Sequence, residues 1–138
     1  MKILVSGCLL GLACRFDGKS KPHPKVLKLA KAETLIPFCP ECFGGLPTPR
    51  PPSEIKGNRV VSAEGADVTA QYRKGAEEAL RLCQTLGIKK AILKARSPSC
   101  GSGAVYDGTF TKTLRRGDGI TAALLKANGI EVLTEEEL

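Results

Sequence analysis

Tryptophan is absent, and the 138 residues include only two tyrosines and four phenylalanines. That leaves little for an aromatic platform on which nucleic-acid bases stack. No apolar run approaches the ~20 residues needed to span a bilayer. The opening Met1-Lys2-Ile3-Leu4-Val5-Ser6-Gly7-Cys8 is too short in its apolar part for a secretory signal. A cytoplasmic protein that does not meet a membrane is therefore expected. Histidine is nearly absent too: the single one, His23, lies between Pro22 and Pro24 in a basic loop, where an exposed or capping role suits it better than ligation.

What is present suits one domain, residues 1–138, with enough apolar sequence (42%) to bury a sizeable core. No low-complexity tract points to disorder. Six cysteines in a reducing compartment are read as core residues, metal ligands or redox groups rather than structural disulfides. The net charge of +7 is uneven. Residues 1–60 carry ten Lys/Arg against four Asp/Glu, and residues 61–138 carry eleven against ten. A basic half suits an anionic substrate such as a nucleotide phosphate, or RNA; a solvated lysine surface is the plainer alternative.

Strands and helices alternate along the chain. Lys2-Ile3-Leu4-Val5-Ser6 reads as a buried strand, followed by a Gly-rich polar loop to Pro22. Pro24 opens a short helix to about Ala32. Thr34–Phe38 is a second strand, with Pro37 marking an edge or an early end. Five prolines and two glycines between Cys39 and Pro52 predict neither helix nor regular strand there. Arg59–Ser62 is a short β excursion. Asp67 is expected to cap a long helix whose apolar stripe is Tyr72, Ala76, Ala79, Leu80, Cys83 and Leu86, closed by Gly87. Ala91-Ile92-Leu93 is a third strand. Asp118 or Thr121 is expected to start the last helix, which Gly129 closes before a fourth strand at Ile130–Leu133. This order predicts a three-layer α/β/α domain with a mostly parallel four-stranded sheet, Rossmann-like or flavodoxin-like, of strand order 2-1-3-4.

Cysteines fall at the carboxyl ends of these strands. Cys8 follows the first strand, Cys39 the second and Cys100 the third. In a parallel α/β sheet those ends gather at one edge, where ligands bind. Three thiolates suit soft metals, chiefly zinc or an iron–sulfur cluster. Structural zinc needs a fourth ligand, which Cys14 or Cys42 could supply. A [4Fe–4S] cluster on three cysteines instead leaves one iron open for substrate. Cys83, on the apolar stripe, reads as core. Cys39-Pro40-Glu41-Cys42 also matches a C-x-x-C dithiol, but the glycines and prolines that follow leave no helix to lower the first thiol's pKa. Gly11 to Gly18-Lys19-Ser20 is not a P-loop, because six residues separate the glycines where four are needed.

Four blocks carry a family resemblance. They are Cys8-Leu9-Leu10-Gly11 with Arg15-Phe16-Asp17-Gly18; Cys39-Pro40-Glu41 with Gly44-Gly45-Leu46-Pro47 and Pro49-Arg50; Asp67-Val68-Thr69; and Lys94-Ala95-Arg96-Ser97-Pro98-Ser99-Cys100-Gly101. Together they resemble the DUF523 family, whose characterised members include the thiouracil desulfidases, over essentially the whole chain. The resemblance implies a [4Fe–4S] cluster held by Cys8, Cys39 and Cys100, and non-redox removal of sulfur from a thiolated uracil or its nucleotide. It also implies that Glu41 and Ser97 are catalytic-site residues. Phe16 stands where the family usually has tyrosine, and Cys42 departs from the family pattern.

The expected chemistry follows from that implied set. The open iron would polarise a thiocarbonyl, and Glu41 would take a proton from the attacking water. The plainer readings are that Glu41 is a solvated loop carboxylate and that Ser97 caps a turn. Arg15 and Arg50, with Lys19 and Lys21 nearby, are candidates to bind a nucleotide phosphate; the alternative is that Arg15 and Arg50 pair with Asp17 or Glu41 and hold the loops. The expected partner is a small thiolated pyrimidine or nucleotide, with thiolated tRNA a further candidate, and the expected state a monomer or weak dimer. Two other classes compete: a Cys39–Cys42 dithiol redox protein, and a non-catalytic metal- or RNA-binding module.

Overall fold

A computed structural model describes residues 1–138. Along the chain come β1 (Lys2–Ser6), a 3-10 turn (Gly7–Leu10), α1 (Pro24–Leu29), β2 (Thr34–Phe38), α2 (Pro40–Phe43), β3 (Ser53–Lys56) and β4 (Arg59–Ser62). There follow α3 (Thr69–Leu86), β5 (Lys90–Leu93), β6 (Ala104–Tyr106), β7 (Leu114–Arg116), α4 (Ile120–Ala127), β8 (Glu131–Thr134) and a 3-10 turn (Glu135–Glu137).

β1, β2, β5 and β8 form one parallel sheet of order β2-β1-β5-β8, which is the expected 2-1-3-4. The period-2 alternation of β1 explains the layering. Leu4 points into a core with Ala79 and Cys83 of α3 and Ala122 and Leu125 of α4. Ile3 and Val5 point the other way, against Val26 of α1 and Leu9. Helices therefore cover both faces, as both-face burial of parallel strands requires. β2 is an edge strand, where Pro37 removes no needed sheet bond. No helix is long and apolar enough to cross a membrane.

Several local expectations need correction. One helical turn, α2, does form in the proline-rich stretch: Pro40 occupies the first helical position, where its missing N–H is no loss, and Gly44 ends the turn. Val68, not Asp67, is the N-cap of α3. Asp67 Oδ1 instead accepts from the backbone N–H (3.0 Å) and hydroxyl (2.6 Å) of Thr69. Gly119 is the N-cap of α4; Thr121 is fully buried inside that helix, and Asp118 Oδ1 accepts from Gly103 N and Lys126 Nζ. Two antiparallel hairpins, β3–β4 and β6–β7, add to the α/β frame beyond the single β excursion at Arg59–Ser62.

Where α2 crosses α3 the backbones nearly touch. A Cβ at Gly75 would lie 1.9 Å from the Pro40 carbonyl oxygen, and one at Gly44 would lie 2.0 Å from that of Gln71. Only hydrogen fits at either position. Stacking of Phe38 on Phe43, with ring centroids 4.5 Å apart, adds to this seat for Cys39-Pro40-Glu41.

Candidate metal centre

The carboxyl ends of β1, β2 and β5 open onto a cavity of about 420 Å³. Cys8, Cys39 and Cys100 all line it. Cys8 is presented by the 3-10 turn after β1, and Cys39 lies between β2 and α2. Cys100 closes a tight turn in which its N–H donates to Ser97 Oγ at 2.7 Å and Gly101 N donates to the Ser97 carbonyl. Cys8 and Cys100 are buried and Cys39 half-buried.

These thiols resist ionisation. Burial, then the neighbouring Cys100, pushes Cys8 up to about 12, against the pull of Lys94 and Arg15. Burial pushes Cys100 up to about 11, although hydrogen bonds from Ser6 and Ser99 oppose it. A hydrogen bond with Cys14, then burial, raises Cys39. Cys8 feels the charge of Cys100 and Cys39, and Cys100 that of Cys39. Such a set becomes thiolate when a cation supplies the missing charge, which is what metal binding does. Three thiol donors lining one cavity suit a soft metal centre, an iron–sulfur cluster among them. Two hydroxyl oxygens, Ser6 Oγ and Ser99 Oγ, each lie 3.4 Å from Cys100 Sγ, and Ser6 is positioned to donate to that sulfur.

Glu41 is fixed beside the thiols. Its Oε1 accepts from Arg50 Nε (3.1 Å) and Tyr72 Oη (2.9 Å), and its Oε2 from Ser99 Oγ (2.8 Å). A carboxylate has about four lone-pair sites, so one remains, on Oε2. Glu41 is thus a held residue of the cavity wall, not a freely solvated loop carboxylate.

Both loop-holding ion pairs form. Arg50 is buried and uses four of its five N–H donors: Nε on Glu41, Nη1 on the Pro47 carbonyl and Thr48 Oγ1, and Nη2 on the Cys14 carbonyl. Arg15 pairs with Asp17 at 3.5 Å, its guanidinium 5.7 Å from the centroid of the Phe16 ring. Both arginines line the cavity, whereas Lys19 and Lys21 do not. Ser97 also lines it while capping its turn.

Of the remaining cysteines, Cys14 lines the cavity and Cys42 does not; the Cys42 thiol lies 3.4 Å from Thr48 Oγ1. Cys83 is 1% exposed in the core. His23 holds the N-cap position of α1 without a side-chain cap bond and is outside the cavity. The ground for setting aside the dithiol reading needs correction, because a one-turn helix does follow Cys39, which stands at its N-cap; what opposes that reading is a hydrogen bond with Cys14, then burial, both raising Cys39 where a reactive C-x-x-C thiol is lowered. Ser6, Tyr72, Lys94 and Ser99 were not among the expected site residues. Tyr72 carried a signal: a tyrosine on a buried stripe needs a partner for its hydroxyl.

A cavity at the sheet's carboxyl edge, with thiols from three strand ends and a fixed carboxylate, is a candidate metal site on a parallel α/β scaffold. The chain belongs to the 2-thiouracil desulfurase family, whose model matches residues 3–137. A protein of Bacillus subtilis (strain 168), described as uncharacterized protein YbbK, is 42% identical over 146 residues, covering 99% of this chain and 97% of its own. The solved structure of the [4Fe-4S]-dependent thiouracil desulfidase TudS is similar at a TM-score of 0.94 and 50% identity, over 99% of this chain and 92% of that one.

Proposed function

We propose that this chain is a [4Fe–4S]-dependent desulfidase that converts a thiolated uracil to uracil and hydrogen sulfide, consuming one water with no net redox change. The observation that carries the reading is the meeting of Cys8, Cys39 and Cys100 with Glu41 in one cavity, in a chain half identical to a protein named for that activity.

Cys8, Cys39 and Cys100 are the residues that would hold the cluster, and Ser6 supports the Cys100 sulfur with a hydroxyl donor. When bound, a cluster with three protein ligands supplies an open iron, a soft Lewis acid for the thiocarbonyl sulfur. Glu41 receives the proton of the attacking water at Oε2, the oxygen with an unused lone pair. Arg50 and Tyr72 grip Oε1 and so aim that oxygen. Ser97 holds the turn that presents Cys100, and its oxygen lies 3.4 Å from that of Ser99, within reach of the same water. A small substrate is favoured over tRNA. Three of the four cations on the cavity wall, Arg15, Arg50 and Lys94, are already in ion pairs.

The test is anaerobic reconstitution with iron and sulfide, then exposure to 2-thiouracil, 4-thiouracil and 4-thiouridine monophosphate. Expected are a brown protein with about four irons per chain and stoichiometric uracil and sulfide. A colourless protein, or a brown one that releases sulfide from none of them, would sink the reading.

A further inference from the structure

The long loop between β6 and β7 sits on the rim of the same cavity and is built with unusual care. Two of its non-glycine residues, Phe110 and Lys112, hold left-handed backbone conformations, each at φ 59°. Such conformations are unfavourable for residues with a Cβ and persist only where surrounding structure enforces them. Here the enforcement is visible. Glu54 of β3 is 8% exposed, and its Oε1 accepts from Gly108 N (3.0 Å) and Phe110 N (3.1 Å). Asp107 Oδ1 accepts from both the N–H and the hydroxyl of Thr109, and the hydroxyls of Thr109, Thr111 and Thr113 run in a chain at 2.6 and 2.8 Å.

This scaffold brings two side chains to the cavity wall. Phe110 remains 39% exposed with no ring stacked on it, although it lines the cavity. Lys112 lines the cavity as well and is the one cation there without a carboxylate partner. An uncovered aromatic face and a free ammonium on one rim suit a ligand with a flat ring and a negative charge.

Building on the desulfidase reading, we infer that the 107–113 loop is the wall that discriminates between substrates. Phe110 packs on the face of the thiolated pyrimidine. Lys112 takes the phosphate that a nucleotide carries and a free base lacks. Glu54 is the positioning residue that holds both in place. Arg50, expected from sequence to meet the phosphate, is occupied by Glu41 and the Cys14 carbonyl; the charge-reading role passes to Lys112.

The experiment compares 4-thiouracil with 4-thiouridine monophosphate on cluster-loaded wild type and variants, with binding of UMP and uracil measured by titration calorimetry. Phe110→Ala should raise KM roughly 10-fold for both substrates with kcat nearly kept, the scale of one base–aromatic stack. Lys112→Ala should raise KM and Kd for the nucleotides alone by about 5–10-fold, less at high salt. Glu54→Ala should raise KM for both at unchanged iron content, and Glu54→Gln should restore it, since an amide oxygen accepts the same two N–H groups. Wild-type turnover with unchanged KM in Phe110→Ala and Lys112→Ala would overturn the inference while leaving the desulfidase reading intact. A wild type without turnover would overturn that reading instead. In that case UMP binding lost in Lys112→Ala would still support the loop's role, and UMP binding equal in both proteins would end it.

Discussion

Ser99 donates its hydroxyl to Glu41 Oε2 at 2.8 Å, joining the loop after β5 to helix α2 across 58 positions of sequence. The same oxygen lies 3.4 Å from Cys100 Sγ, so one small side chain touches both a proposed ligand and the proposed base. Ser99→Ala is therefore expected to lower turnover about 10- to 100-fold while most of the iron is retained, because Glu41 loses one of three donors. Iron analysis beside steady-state kinetics checks this. Unchanged turnover would remove Ser99 from the site.

Glu41→Gln keeps shape and removes the base. It should keep its cluster and lose roughly 10²–10⁴-fold in turnover, the usual weight of general acid–base catalysis. Parallel loss of iron and activity would make Glu41 a structural residue.

Ligation separates the cysteines into groups. Single Cys8→Ser, Cys39→Ser and Cys100→Ser proteins should each fail to incorporate most of the iron. Cys83→Ser should load normally, since Cys83 lies in the core away from the cavity. Iron and sulfide per chain after anaerobic reconstitution is the measurement. Iron lost from Cys83→Ser and retained by Cys100→Ser would contradict the strand-end assignment.

Gly75→Ala offers a test with an informative sign. In an ordinary helix interior the change stabilises by about 1 kcal/mol. Here the new methyl would meet the Pro40 carbonyl at 1.9 Å. Overpacking of this kind costs typically about 1–3 kcal/mol. Urea unfolding should show net destabilisation, with reduced iron loading because the seat of Cys39 and Glu41 moves. A stabilised protein with full loading would show that α2 is free to shift.

Alkaline stability should carry a contribution from Cys83. Burial pushes its thiol from 9.0 to about 11. Below pH 9 both folded and unfolded thiols are neutral, and the stability is intact. As pH rises from 9 through 11 the unfolded chain ionises first, which costs the folded state about 2–3 kcal/mol. Denaturant midpoints at pH 8 and 10.5 should therefore fall less steeply in Cys83→Ala than in wild type. Equal slopes would mean that Cys83 ionises freely in the folded protein.

The parallel sheet was legible because its strands are short continuous apolar runs separated by helical periodicity, as in Lys2–Ser6 and Ala91–Leu93. Placement of Cys8, Cys39 and Cys100 at one edge follows from topology alone. The hairpins were harder. β7 is Leu114-Arg115-Arg116, exposed throughout, and β3 carries a buried glutamate whose partners are backbone N–H groups 54 and 56 positions away. No local pattern reports such a bond. The one-turn helix at Pro40 is hidden by its composition, because proline breaks a helix interior yet starts a helix at its first position. Ser99 and Tyr72 gained their meaning only from the fold that brings Glu41 to them.

The seat for the three thiols is assembled from segments far apart in the chain. Cys8 and Cys39 are brought together by the β1–β2 pairing, but Cys100 joins only when β5 has docked beside β1. During synthesis the nascent chain thus displays two of the sulfurs well before the third exists. A group held by all three sulfurs would therefore have its full set of ligands only once β5 is paired with β1.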